Sequence, residues 1–128
     1  MAGKKMCKVL IVDDDYVNSL MARKMIESFG YEASTAWDGH EAVDMAKTGE
    51  FDIILMDLNM PGLDGLQATL QILQQELTST VPVIAVTADS NSISKGLHTE
   101  AGMSDYLLKP FKIEQLKEMI DRYAVVVE

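Results

Sequence analysis

Two hydrophobic periodicities alternate along the chain. Lys8 to Val12 is a short β-branched run and reads as a strand. Val17, Leu20, Met21, Ile26 and Phe29 then recur at helical spacing, with Arg23, Lys24 and Glu27 between them, and Gly30 stops that helix as a left-handed C-cap. Tyr31 to Ala36 is a second, more polar strand, suited to a sheet edge. Asp38 with Glu41 three residues later forms a capping-box pattern, which opens a helix through Lys47 that ends at Gly49. Phe51 to Met56 is continuously apolar apart from Asp52, as a strand covered on both faces should be. Pro61-Gly62 turns the chain, and Leu66, Thr69, Leu70, Leu73 and Leu77 mark a third helix. After the Thr78-Ser79-Thr80 loop comes a fourth strand at Val83 to Val86. Asn91 to Ala101 is a weaker helix with Gly96 inside it and a thin stripe of Ile93, Leu97 and Ala101. Gly102 ends it, Ser104 to Leu108 is a short fifth strand, and Ile113, Leu116, Met119, Ile120 and Tyr123 define the last helix.

Five strand–helix units without a linker or repeat predict an α/β fold: a parallel sheet, five helices on its two faces, right-handed crossovers. The 128 residues fit one domain, 1–128, with its core at about 7–123. Most of the nine methionines fall at core spacing. Eleven basic against twenty acidic residues give a net charge of −9, which argues against direct nucleic-acid binding. The single Cys7 excludes an internal disulfide and a Cys-rich zinc site. No apolar run approaches the roughly 20 residues of a membrane span, and no signal-peptide pattern opens the chain. A cytoplasmic location is expected. Ala124-Val-Val-Val-Glu128 is apolar where a chain end is normally polar; either the valines pack under the last helix or the chain continues in a longer protein.

The polar groups at the strand tips change the picture. Val9–Val12 runs into Asp13-Asp14-Asp15, Ile53–Met56 into Asp57, Val83–Val86 into Thr87, and the fifth strand into Lys109-Pro110. Open parallel sheets gather functional groups at strand C-termini. Carboxylates from two neighbouring strands repel each other unless a cation intervenes. Oxygen donors with no Cys or His nearby in sequence favour Mg²⁺, with Mn²⁺ possible, over zinc. Lys109 adds a flexible positive charge, Thr87 a hydroxyl donor, and Pro110 allows a cis peptide. This set suits phosphoryl transfer, in which catalysis is mostly positioning and charge neutralisation, with Asp57 as nucleophile forming an acyl phosphate. His40 and His98 read as exposed helical residues away from these tips.

Val12-Asp13-Asp14, Met56-Asp57-Leu58-Asn59-Met60-Pro61-Gly62-Leu63-Asp64-Gly65, Val86-Thr87-Ala88 and Asp105-Tyr106-Leu107-Leu108-Lys109-Pro110-Phe111 resemble the motifs of response-regulator receiver domains of two-component phosphorelays. The resemblance runs from about Cys7 to Tyr123. Trp37-Asp38-Gly39-His40-Glu41-Ala42 and Ala101-Gly102-Met103-Ser104-Asp105-Tyr106 look most like receivers of hybrid histidine kinases, and single-domain regulators are a further match. The resemblance implies a flavodoxin-like, doubly wound five-stranded sheet in the order 2-1-3-4-5. It implies Asp57 as phosphoacceptor, Asp14 as a direct Mg²⁺ ligand, Asp13 acting partly through water, and the Asn59 backbone carbonyl completing the ligands. Thr87 and Lys109 would contact the phosphoryl group. Thr87 and Tyr106 would form a switch altering the surface of the fourth helix, fifth strand and fifth helix. The implied partner is a histidine kinase or a histidine phosphotransfer protein that supplies the phosphohistidine. The domain would turn over no outside substrate and would be a monomer or weak dimer.

Other functions on the same fold fit less well. An aspartyl-phosphate phosphatase typically places a second Asp two residues after the nucleophile, where this chain has Asn59. An inactive receiver-like scaffold has no need of intact Asp13, Asp14, Asp57, Thr87 and Lys109. A flavin module needs a phosphate-cradling loop after the first strand, where Asp13-Asp14-Asp15 would repel the ligand.

Overall fold

Strands β3 (Ile53–Asp57) and β4 (Val83–Thr87) are buried at every position, as central strands of a sheet covered on both faces must be. The computed structural model describes residues 7–60 and 64–123. Its sheet is completed by β1 (Lys8–Val12), β2 (Glu32–Ala36) and β5 (Asp105–Leu108). All neighbours pair in parallel in the order β2-β1-β3-β4-β5. The expected α/β class and strand order are therefore observed, and the polar β2 lies on an edge. The expected Pro61-Gly62 turn and the Ala124–Glu128 tail fall outside the described residues.

Successive side chains of a strand point to opposite faces, so the central strands divide their apolar residues between two cores. Val9, Ile11, Ile53, Leu55, Ile84 and Val86 face Ala22 and Ile26 of α1 (Tyr16–Ser28) and Leu116, Met119 and Ile120 of α6 (Ile113–Tyr123). Leu10, Val12, Ile54, Met56, Val83 and Ala85 face α2 (Gly39–Ala46) and α3 (Gly65–Leu73) through Ala42, Val43, Ala46, Ala68 and Ile72. Each large side chain so buried contributes about 1.5–3 kcal/mol relative to exposure.

The helices differ from expectation in two respects. The weak fourth helix is two short ones, α4 (Ser90–Ser94) and α5 (Leu97–Glu100), which makes six α-helices among the described residues in place of the five expected. Gly96 separates them with φ +73, a conformation that glycine adopts without steric cost. The stripes are also shifted. Val17 and Met21 are exposed, as are Leu70 and Leu77, while Ser19, Ala22 and Ala68 face inward together with Thr69, which the expected stripe included. Leu77 lies in a 3₁₀ turn (Glu76–Thr78) beyond α3. Gly30 and Gly49 follow α1 and α2 with positive φ, as the C-cap pattern predicts.

Candidate functional site

Parallel pairing brings the C-terminal ends of β1, β3 and β4 to one edge. Val12 lies opposite Met56, so the following residues, Asp13 and Asp57, leave adjacent strands side by side. Asp57 lies opposite Val86, which places Thr87 one residue beyond. One carboxylate oxygen from each of Asp13, Asp14 and Asp57 lies within 4.8 Å of the others. Asp13 and Asp57 are buried and Asp14 is exposed.

Lys109 is the cation of this cluster. Its Nζ donates to Asp13 Oδ2 at 3.1 Å and sits 3.7 Å from Asp57 Oδ2. The Lys109 amide donates to the Thr87 carbonyl, which ties the segment after β5 to the tip of β4. The Lys109–Pro110 peptide is cis. Asp57 Oδ1 accepts from the Asn59 amide at 3.0 Å, so the carboxylate is oriented by its own loop and Oδ2 faces the lysine. Burial pushes the Asp57 carboxyl above its ordinary pKa. The Asn59 amide and Lys109 pull it back, and the charges of Asp13 and Asp14 push it up again.

Thr87 is buried, and its Oγ1 accepts from Asn59 Nδ2 at 3.1 Å and from the Asp89 amide at 3.0 Å. With both acceptor positions filled, its own hydrogen remains to be donated. Tyr106 lies on the edge strand β5, 40% exposed, and meets His98 edge to face at 5.5 Å. His98 corrects the expectation of an exposed histidine: it is half-buried, and its Nδ1 is buried with no hydrogen-bond partner among the described residues. His40 is exposed as expected.

The structure thus brings Asp13, Asp14, Asp57 and Lys109 together, with Asn59 and Thr87 joined to each other beside Asp57. Tyr106 stands apart on β5. The donor set fits a hard divalent ion: three carboxylates, two of them buried, with a single lysine to balance them. Two contributions are not evident from sequence. The side-chain amide of Asn59 holds Thr87 at 3.1 Å, a contact that the expected role of its backbone carbonyl as a ligand does not include. Gly65, at the start of α3, packs against the loop after β3 so closely that a Cβ would lie 2.2 Å from the Asp57 carbonyl oxygen. The Asp64-Gly65 pair at a helix start is the available signal, since glycine inside a first turn permits close backbone approach.

Comparison with known proteins agrees with this geometry. The profile of the response regulator receiver domain matches residues 9–121. The histidine-protein kinase BarA of Escherichia coli K12 is 40% identical over 115 residues, which cover 90% of this chain and 12% of that kinase. PilH of Pseudomonas aeruginosa PAO1 is 37% identical over 116 residues, covering 91% of this chain and 96% of PilH. The chain therefore spans about an eighth of the sensor kinases it matches and nearly the whole of PilH. Among solved structures, the receiver domain of the sensor histidine kinase PA1611 from the same Pseudomonas strain, with a magnesium ion in its active-site cleft, superposes with a TM-score of 0.87. It is 38% identical and covers 94% of this chain and 98% of that one. Chemotaxis protein CheY4 of Vibrio cholerae also gives a TM-score of 0.87, at 32% identity, covering 93% and 99% of the two chains. Strand order, the gathered strand tips and these relatives lead to one assignment: the chain belongs to the response-regulator receiver domains of two-component signalling.

Proposed function

We propose that this domain takes a phosphoryl group from a partner phosphohistidine onto Asp57 and signals by changing its surface. The observation that carries this reading is the convergence of Asp13, Asp14 and Lys109 on a buried, oriented Asp57. Oδ1 is engaged by the Asn59 amide, so Oδ2 is the attacking oxygen. As the O–P bond forms, the P–N bond of the donor breaks and the imidazole leaves with the electron pair. Lys109 sits where it can balance charge on the incoming phosphoryl oxygens, and the Thr87 hydroxyl is free to donate to one of them. Asp13, Asp14 and Asp57, with the Asn59 carbonyl, would hold Mg²⁺, or Mn²⁺ in its place. The ion supplies charge neutralisation when bound.

Phosphorylation replaces the single negative charge of the Asp57 carboxylate with an acyl phosphate of roughly −1.5 to −2. Thr87 is then drawn toward the new oxygens, and Tyr106, now half-exposed, swings into the space behind it. The signal emerges on the surface of α4, α5, β5 and α6. Support comes from the short α4 and α5, neither of which buries a residue, since moving elements belong to the low-stability end of a fold. The partner is a histidine kinase or histidine phosphotransfer protein, and the domain acts as a monomer or weak dimer in the cytoplasm. It serves either as a free regulator or as part of a hybrid kinase. Among the described residues no helix is long and apolar enough to cross a membrane.

Incubation with acetyl phosphate and Mg²⁺ followed by intact mass tests the chemistry. The native chain should gain one phosphoryl group and Asp57→Asn none. Label on another residue, or steady turnover of free phosphomonoesters, overturns the reading. Unchanged spectra of Tyr106 and the α4–α5 segment on adding beryllofluoride with Mg²⁺ overturn the switch.

A further inference from the structure

His98 on α5 is a half-buried imidazole that the proposed chemistry leaves unused. Gly96, with φ +73, breaks the helix just before it. The turn that carries His98 is then tied to the sheet. Its carbonyl accepts from the Met103 amide at 3.0 Å, Met103 is buried, and the next amide, Ser104, donates to the Val83 carbonyl at 2.9 Å. The backbone of α5 is thereby fixed relative to the start of β5. The His98 ring meets Tyr106 edge to face, with 5.5 Å between centroids and 76° between planes.

No hydrogen bond to another element orients this imidazole. Nδ1 is buried without a partner among the described residues, and Nε2 reaches only the hydroxyl of its neighbour Thr99, at 3.4 Å. A buried nitrogen left unpaired costs free energy, so the ring is held by packing. Tyr106 depends on the contact in the same way. It is 40% exposed, and among the described residues its hydroxyl has no hydrogen-bond partner and its ring meets no other ring. Edge-to-face pairs contribute beyond the area they bury, and this pair belongs to the outward rotamer. We infer that His98 is a positioning residue for the switch: its ring holds Tyr106 outward and so opposes the phosphorylated surface. The inference deepens the proposed function, on which it rests for its signalling meaning. A ligand's apparent affinity falls with the fraction of molecules in the competent state. The latch therefore also weakens occupancy of the phosphoryl site.

The test uses the full chain and two readouts. The first is the χ1 rotamer of Tyr106 from three-bond couplings, with no phosphoryl analogue present. The native chain should show one rotamer, His98→Ala a rotamer average, and His98→Phe, which keeps a ring, the native value. The second is a beryllofluoride titration in saturating Mg²⁺. His98→Ala should bind about two- to tenfold tighter than the native chain, the worth of one aromatic pair, and His98→Phe should return to the native affinity. A merely structural histidine predicts the opposite sign, because a loosened fold binds the analogue more weakly. If His98→Ala fails to fold, His98→Leu removes the ring and keeps its bulk, with the same two expectations. Unchanged Tyr106 couplings in the ring-less variant, beryllofluoride affinity equal to or weaker than native, or a phenylalanine that restores neither readout each overturns the inference. A native chain blind to beryllofluoride refutes the proposed function alone, since the couplings are read without the analogue and still decide whether His98 holds Tyr106.

Discussion

Replacing Asp57 with asparagine should stabilise the protein at neutral pH, although it removes the residue on which the proposed chemistry depends. Asparagine keeps the shape and can still accept the Asn59 amide bond at Oδ1. What it removes is a buried negative charge beside two others. At an effective dielectric of about 20, like charges at the 4.8 Å limit of this cluster repel by about 3.5 kcal/mol. The exposed Asp14 is screened to roughly half of that. The attraction of Lys109 at 3.7 Å returns about 4.5 kcal/mol. The charge terms leave somewhat under 1 kcal/mol of net repulsion, and desolvation of the carboxylate adds to it. A gain of about 1–3 kcal/mol is expected for Asp57→Asn, or about 5–10 °C in melting temperature for a domain of this size. The pH dependence has a definite sign. The folded Asp57 pKa is raised, so the native protein loses stability as pH rises from the ordinary aspartate value of 3.8 through the raised value. The advantage of the asparagine variant is therefore complete above that window and disappears below it. Urea melts of both proteins at pH 7 and pH 3.5, with and without Mg²⁺, provide the assay. Mg²⁺ should stabilise the native chain more than the variant and narrow the gap. A variant no more stable than the native protein at pH 7, or equally advantaged at pH 3.5, refutes the reasoning.

Three further outcomes are expected. Lys109→Met strips Asp13 and Asp57 of their cation and should destabilise the fold by about 2–4 kcal/mol in Mg²⁺-free urea melts, with saturating Mg²⁺ restoring part of the loss. Gly65→Ala forces a Cβ to within 2.2 Å of the Asp57 carbonyl and 3.0 Å of Leu58 Cα; a backbone clash of this kind should cost about 2 kcal/mol or more and shift the amide resonances of Asp57 to Asn59. Tyr123→Phe deletes hydrogen bonds from the phenol to Asp105 Oδ2 at 2.8 Å and to the Ser104 carbonyl at 3.2 Å, a loss of about 1 kcal/mol at pH 7. Burial raises the Asp105 pKa, but Tyr123, the Tyr106 amide and Arg122 together lower it on balance. The stabilisation from Asp105 is therefore present above 3.8 and lost as pH falls through its lowered value, and the Tyr123→Phe deficit should shrink in that acid range.

The strands and the gathering of their tips are legible in sequence for one reason. A parallel strand buried on both faces must be an unbroken apolar run, and parallel pairing sends every run's C-terminus to the same edge. Asp57, Thr87 and Lys109 could be brought together from spacing alone. The inward faces of the helices were harder to read because helix-on-sheet contact selects for small residues as much as for greasy ones. Ser19, Ala22 and Ala68 pack inward, while the bulkier Val17, Met21, Leu70 and Leu77 are exposed. A count of large apolar residues therefore rotates the stripe away from the true face. The division at Gly96 depends on a backbone state that one glycine permits but does not require. The Asn59–Thr87 bond and the tight fit of Gly65 depend on loop paths, which periodicity does not encode.

The acids of this edge also divide into two kinds that the sequence presents as one. Asp15, Asp38, Asp64 and Asp89 each precede a helix and accept from an amide of its first turn, at Asn18, Glu41, Gln67 and Asn91. Such caps are worth about 1 kcal/mol apiece and favour a negative charge at the positive end of the helix. Their charge is satisfied locally and needs no metal. Asp13, Asp14 and Asp57 are different: none caps a helix, two are buried, and they crowd one another. Within the run Asp13-Asp14-Asp15 the division falls between adjacent residues. Asp15 caps α1, while Asp13 takes the Asp15 amide on one oxygen and Lys109 on the other. The cap thereby fixes the loop that holds the site residue, so substituting Asp15 should loosen Asp13 as well as fray the helix. Strand-end acids followed two or three residues later by a helix thus couple fold stability to site geometry, because one short loop must satisfy both.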